Sequence, residues 1–217
     1  VPCPAMNGGY VWETSGHFHK LFASCGGYFL EFEKNADPHY DSCGLGRIHR
    51  RGVPSELCLS VPFAKHPSYR IGENNPRALS LCSSKTTDGM RQYGANVPYE
   101  TKYTDASEKR VTVVMENALG LTETYVITEN GVSITVTGAE DIGYEIPVFA
   151  DSGEEKTSVT VTDNGKTLTV SHRGHRCIWT TDGTFTDTGE TFRNRNGDYR
   201  NYRAAGEHTV NLTITMA

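Results

Sequence analysis

Long apolar runs are absent from this 217-residue sequence. No segment approaches the roughly 20 consecutive apolar residues that a membrane helix needs, so we expect no membrane partner. The first residues, Val1 to Pro4, lack the charged and apolar regions of a signal peptide. Because the sequence also starts without methionine, we expect that an upstream part of the protein has been removed.

Positive charge is also scarce. Lysine and arginine together number 21 against 26 aspartates and glutamates, which gives a formal net charge of -5. Binding to a nucleic-acid backbone or an anionic membrane depends on an electropositive surface. We therefore expect no nucleic-acid partner, and any basic site must be local.

The sequence also lacks the cysteine spacing that is typical of a zinc site. None of the cysteines lies about two to four residues from another, as zinc knuckles require. The even number allows disulfides, but a chain of this size does not need them, and buried free thiols are the simpler expectation. We expect no cofactor and no metal ion. The six cysteines are Cys3, Cys25, Cys43, Cys58, Cys82 and Cys177.

No segment shows the 3.6-residue period of a long helix, whereas alternation with period two recurs along the second half of the chain. Asn130-Gly131 and Asn164-Gly165 are turn signals that predict hairpins. The predicted strands of this half are residues 111–115, 124–128, 132–137, 157–162, 167–171, 177–180 and 209–215.

The first half is also rich in strands, although its loops are longer. Residues 10–12, 17–22, 28–32, 57–61 and 78–82 are predicted strands. A chain of this length commonly forms one large β domain. The sequence therefore predicts an all-β fold: a large antiparallel β-sandwich of two stacked sheets with little helix, forming a single domain over residues 1–217.

Residues 37–56 contain the densest group of chemically useful side chains. His39, Tyr40 and His49 are candidate proton-transfer groups, and Arg47 or Arg50 supplies fixed positive charge. This combination suits β-elimination in a uronic acid, where a cation neutralises the carboxylate while a base removes the adjacent proton. We assign catalysis to His39, Tyr40, Arg47 and His49, and substrate binding to Arg50.

The same segment also has a purely structural interpretation. Its arginines could pair with Asp37, Asp41 and Glu56 in a polar loop. If the segment is extended, Arg47 and His49 share a side opposite Arg50.

Two further groups of residues are candidates for substrate binding. His17 and His19 would share one face of a strand, where they either line a saccharide groove or bind a metal. Residues 192–203 form a predicted basic and aromatic loop, in which Arg195 and Tyr199 suit an acidic glycan or single-stranded RNA. A solvated surface loop is the alternative.

The order of several segments resembles a known family. The sequence is similar to the C-terminal β-sandwich region of heparinase II/III-like polysaccharide lyases. That resemblance implies a cleft completed by an upstream helical domain, an acidic polysaccharide or oligosaccharide as partner, and a periplasmic or secreted location. The segments that carry it are Tyr28-Phe-Leu-Glu-Phe32, His39-Tyr-Asp41, Gly46-Arg47, Glu145-Ile-Pro-Val-Phe149 and Ser152-Gly153.

Three hypotheses follow. The first is a polysaccharide lyase-like domain that acts by β-elimination at uronic acids. The second is a non-catalytic carbohydrate-binding or scaffolding module, which exposed aromatic side chains on one sheet face would favour. The third is a metal-dependent β-barrel enzyme that uses His17 and His19. Metal in the purified protein would favour this hypothesis.

Overall fold

A computed structural model describes residues 8–14, 16–36, 41–58, 79–139, 141–194 and 197–217. Strands make up 68% of the structure and helical turns 5%. The strands form three antiparallel sheets, which confirms the predicted all-β sandwich. In the described part of the chain, no helix has the length and apolar composition needed to cross a bilayer.

In each sheet the strands follow one another in space in the order in which they are named. The four-stranded sheet contains β1 (Tyr10–Glu13), β2 (Lys20–Cys25), β3 (Tyr28–Glu33) and β4 (Gly44–Arg50). The eight-stranded sheet contains β12 (Ser158–Thr162), β13 (Thr167–His172), β14 (His175–Thr181), β17 (Thr209–Met216), β10 (Gly131–Thr137), β9 (Thr122–Thr128), β8 (Arg110–Asn117) and β7 (Tyr99–Ser107). The five-stranded sheet contains β15 (Thr184–Asn194), β16 (Gly197–Gly206), β11 (Ile142–Asp151), β5 (Cys82–Thr87) and β6 (Met90–Tyr93). Short 3-10 turns cover Ser55–Cys58, Gly94–Asn96 and Asp163–Gly165.

One face of the eight-stranded sheet is covered by both smaller sheets. Phe32 of the four-stranded sheet meets Tyr125 edge to face, with ring centroids 4.8 Å apart. The hydroxyl of Tyr125 in turn lies 3.1 Å from the hydroxyl of Tyr144 in the five-stranded sheet. A bridge joins the two smaller sheets, in which the Leu45 amide donates to the Leu81 carbonyl at 2.9 Å. The second layer of the sandwich is thus two sheets side by side.

Period-two alternation explains why the eight-stranded sheet has one buried face. In β8, Val111, Val113 and Met115 are fully buried, while Thr112 and Val114 between them are partly exposed. Alternate side chains point to opposite faces of a strand, so the apolar set turns towards the other layer.

Residues 192–194 and 197–203 are strand residues and not part of the predicted loop. They span the end of β15 and most of β16, and β16 pairs with β11 from Asp198 to Gly206. Their many polar residues suggested a loop. The buried side chain of Asn201 is accommodated because it donates to the carboxylate of Glu145 at 2.7 Å.

Strand boundaries in the first half also differ from the prediction. Residues 44–50, expected in a loop segment, form β4, whereas Leu57 and Cys58 belong to a 3-10 turn and not to a strand. The strand expected from His17 begins at Lys20. Each difference occurs where apolar alternation is short, so that pairing with a neighbouring strand decides the conformation.

The hairpin turns lie close to their predicted positions. Gly131 already pairs with Thr128, so the turn residues are Glu129 and Asn130. Asp163, Asn164 and Gly165 all have positive φ in the second hairpin, at 54°, 56° and 86°.

The cysteine prediction is confirmed where the structure describes the side chains. Cys25, Cys43, Cys82 and Cys177 are free and buried. Burial raises the pKa of Cys43 to about 11, which keeps it a thiol at neutral pH.

A buried carboxylate joins the two layers. Glu123 of β9 is fully buried and accepts hydrogen bonds from the Tyr99 hydroxyl and the Ser83 amide, at 2.6 and 2.8 Å. Tyr125 donates to its other oxygen. Ser83 belongs to the five-stranded sheet and both tyrosines to the eight-stranded sheet, so one side chain connects the layers. Burial raises the pKa of Tyr99 and Tyr125, and the nearby Glu123 carboxylate adds to this.

Replacing Tyr99 by Phe is expected to destabilise the protein by about 1–3 kcal/mol, because the buried Glu123 carboxylate loses a donor. Tyr103→Phe on the same strand is the matched control, since Tyr103 is 56% exposed and should change little. Urea unfolding monitored by circular dichroism measures both. Equal stability of the two variants would contradict the role given to Glu123.

Candidate functional site

An aromatic row crosses the outer face of the four-stranded sheet, the face turned away from the eight-stranded sheet. It consists of Trp12, Phe22, Phe29 and His49, one from each strand. Neighbouring ring centroids are 5.6, 5.9 and 6.5 Å apart, and the first two pairs are stacked, with interplanar angles of 19° and 24°.

The local sequence explains how the row forms. Phe22 lies between Leu21 and Ala23, which are fully buried, so it points outward. Strand register then places Trp12 directly opposite Phe22. The register between β3 and β4 likewise places Phe29 opposite His49.

The row is open to solvent at one end. Trp12 is 60% exposed on the edge strand β1, whereas the other three rings are half-buried. Cross-strand aromatic pairs stabilise a sheet by themselves, but they do not require an exposed tryptophan. Exposed aromatic surface bordered by polar groups is typical of a binding site.

Carboxylates border the row on the same face. The Lys20 ammonium lies 3.1 Å from Glu31, 3.1 Å from Glu33 and 3.0 Å from Asp41, measured to one oxygen of each. Burial lowers the pKa of Lys20, but Asp41 and Glu31 outweigh this and raise it overall. One cation thus faces three anions, which leaves carboxylate oxygens able to accept hydrogen bonds from a ligand.

Arg47 and His49 project from β4 on this outer face, as the alternation predicted. Arg47 is exposed, and within the described ranges its guanidinium has no hydrogen bond or ion pair. Burial lowers the pKa of His49, and the charge of Arg47 lowers it further, against an opposing effect of Glu31. The His49 imidazole is therefore neutral at pH 7 and able to accept a proton.

Arg50 lies on the opposite side of β4, also as predicted. Its guanidinium donates to the Tyr28 hydroxyl at 2.8 Å and to the Met216 carbonyl at 2.6 Å, and it sits 4.9 Å from the centre of the Tyr28 ring. These contacts connect β4 to β17. The structure does not bring Arg50 together with Arg47 and His49.

The remaining predicted residues are dispersed. His17 is exposed and His19 half-buried, in the turn that precedes β2. Tyr199 is buried on β16, edge to face with Phe149 at 5.5 Å, and so belongs to another sheet. His39, Tyr40 and Arg195 lie outside the described residues.

No metal site emerges from the residues that the structure describes. Among them, no group of three or more His, Cys, Asp or Glu side chains could hold an ion. The hypothesis that His17 and His19 bind a metal therefore gains no third ligand within the described ranges.

Trp12, Phe22 and Phe29 were not among the predicted site residues. Alternation in the sequence already placed each of them in a strand. What it could not reveal is the order of strands in the sheet, which brings the rings side by side.

The sequence matches no protein-family profile and no curated protein. Solved structures, however, share the fold. Protein HI1317 is 8% identical with a TM-score of 0.56, over 96% of this chain and 99% of that one. A galactose mutarotase-like protein from Clostridium acetobutylicum is 6% identical with a TM-score of 0.55, over 97% and 99%. A 4-alpha-glucanotransferase from Thermococcus litoralis is 12% identical with a TM-score of 0.52, over 96% of this chain and 39% of the enzyme.

At these identities the likeness concerns the fold. The chain has the β-sandwich architecture found in carbohydrate-active proteins.

The pKa of His49 is expected to lie below the ordinary histidine value of about 6.5, and to rise in Arg47→Gln because a repelling charge is removed. Titration of the imidazole signals by NMR measures both values. Arg51→Gln, in the exposed turn after β4, is the control and should leave the pKa unchanged. A His49 pKa that is the same with and without the Arg47 charge would contradict the proximity of the Arg47 guanidinium to the His49 imidazole.

Proposed function

We propose that this chain binds carbohydrate on the outer face of its four-stranded sheet, with the aromatic row as the stacking surface. The observation that carries the proposal is the row itself, which ends in a tryptophan that is 60% exposed. The fold shared with a galactose mutarotase-like protein and a 4-alpha-glucanotransferase supports a sugar as the ligand.

The surface offers the contacts that a sugar needs. A pyranose ring has a C–H face, whose slightly positive hydrogens pack against the electron-rich face of Trp12. Its hydroxyls find acceptors in Glu31 and Asp41 beside the row.

An acidic polysaccharide or oligosaccharide is the ligand class that we favour. The exposed guanidinium of Arg47 can hold a uronate carboxylate through two parallel hydrogen bonds. In keeping with the resemblance to heparinase II/III-like lyases, we propose that the chain is one domain of a longer periplasmic or secreted protein with an upstream helical domain.

Trp12→Ala is expected to weaken binding of a uronate-containing oligosaccharide by about tenfold or more, because an aromatic side chain that anchors a ligand commonly contributes over about 1 kcal/mol. Isothermal titration calorimetry measures the affinity. Tyr103→Ala is the control, since it removes an equally exposed aromatic from another sheet.

Unchanged affinity in Trp12→Ala would reject the aromatic row as the binding surface. Equal affinity of the wild type and of Arg47→Ala for the uronate-containing oligosaccharide would reject only the acidic ligand class.

A lyase activity is the second candidate, favoured by the position of Arg47 beside a neutral His49 on one face of β4. In β-elimination His49 would take the proton on the carbon next to the carboxylate. The electron pair of that C–H bond forms a carbon–carbon double bond as the C–O bond to the glycosidic oxygen breaks, and the leaving oxygen takes a proton from water. Arg47 would neutralise the carboxylate as charge develops.

The absorbance of the unsaturated product measures this reaction, preferably in the full-length parent protein. Arg47→Ala and His49→Ala should each lower turnover by an amount equivalent to about 2–4 kcal/mol without loss of folding. Unchanged turnover in both variants, or a large loss of stability in place of activity, would leave carbohydrate binding as the function.

A further inference from the structure

The five-stranded sheet carries a second polar group on its own outer face. We call Arg91, Glu145, Glu190, Asn201 and Arg203 the carboxylate–amide cluster. Glu145 of β11 is fully buried at its centre, where Arg203 Nε lies 3.3 Å from one oxygen. Burial raises the pKa of Glu145, against the opposing effect of hydrogen bonds, including the one from Asn201.

Asn201 lies between the two carboxylates of the cluster. Its Nδ2 donates to Glu145 Oε2 at 2.7 Å and to Glu190 Oε2 at 3.2 Å. Arg91 Nη1 approaches the same two oxygens at 3.8 and 3.5 Å. Because the NH2 group of Asn201 donates to both carboxylates, the orientation of its amide is fixed. The amide oxygen, Oδ1, therefore points away from these carboxylates.

Among the residues that the structure describes, two polar atoms of the cluster find no hydrogen-bond partner. Asn201 is fully buried, and its Oδ1 accepts no hydrogen bond. Arg203 Nη2 is buried and donates none, and the Asp141 Oδ1 atom, 3.9 Å away, is beyond hydrogen-bond distance. An unpaired buried polar atom destabilises a folded protein, so a ligand that satisfies these atoms would gain affinity from them.

The chemistry of the two atoms restricts the ligand. Asn201 Oδ1 needs a donor, whereas Arg203 Nη2 needs an acceptor. A carboxylate or phosphate satisfies only the guanidinium, and an ammonium only the amide oxygen. A hydroxyl group both donates and accepts, and a pair of neighbouring hydroxyls satisfies both atoms.

Two members of the cluster reach solvent. The side chains of Arg91 and Glu190 are 31% and 24% exposed, while that of Glu145 is 0% exposed. A small ligand would therefore approach past Arg91 and Glu190.

We propose that the carboxylate–amide cluster is a second binding site, which takes a small neutral polyhydroxy ligand of the monosaccharide or polyol class. Its hydroxyls bond to Asn201 Oδ1 and Arg203 Nη2, and Arg91 and Glu190 hold the outer hydroxyls. The site is on a different sheet from the aromatic row and does not depend on the function proposed for that row.

Calorimetric titration of the whole chain with D-glucose, D-galactose and glycerol tests the site. At least one of the three should bind, and Arg91→Met and Glu190→Gln should each weaken that binding by about tenfold, the effect of losing a charge-assisted hydrogen bond. Arg200→Met is the matched control, because Arg200 is an exposed arginine of the same sheet outside the cluster. Unfolding midpoints establish that each variant is folded.

Absence of binding by the wild type at tens of millimolar of all three compounds would overturn the proposal. Binding that neither Arg91→Met nor Glu190→Gln weakens would overturn it too. Binding abolished by Trp12→Ala but not by the cluster variants would place the sugar on the aromatic row instead. Intact binding in Trp12→Ala, together with weak binding in the cluster variants, supports the second site.

Discussion

The arrangement of the layers depends on the hydrogen bonds that the side chain of Glu123 accepts. A buried carboxyl group is tolerated only when its oxygens are hydrogen-bonded, and here the donors come from both layers. If the sheets slid by one residue, the Ser83 amide would no longer face the carboxylate. Apolar packing brings the layers together without specifying their offset, whereas hydrogen bonds to one buried group select a single offset.

Because side chains alternate between the two faces of a strand, the contacts in the core also determine which side chains face outward. Tyr144 and Glu145 are neighbours on β11, so when Tyr144 meets Tyr125 in the core, Glu145 must face outward. In the four-stranded sheet, Phe32 meets the same Tyr125, which turns Glu31 and Glu33 to the outer face. The core contacts thereby decide which side chains are available to a ligand.

The two outer faces differ in their chemistry. The four-stranded sheet offers an exposed tryptophan, the exposed guanidinium of Arg47 and an excess of carboxylate around Lys20. Such a surface suits an extended ligand that lies across strands. On the five-stranded sheet, Glu145 is buried and accepts hydrogen bonds from Ser84 and Asn201, which suits a small ligand that supplies further hydrogen bonds.

The sequence by itself determined the class of fold, because period-two alternation and Asn-Gly turns are local and independent of distant contacts. It also predicted that Arg47 and His49 share a side of an extended segment. Only the tertiary structure decided that β1 to β4 lie side by side, so that Trp12, Phe22 and Phe29 join His49 in one row. It likewise decided that polar residues 197–206 form a strand, because the partner of Asn201 is Glu145, more than fifty positions away. Local patterns carry no information about which distant strands will pair, and the candidate sites depend on that pairing.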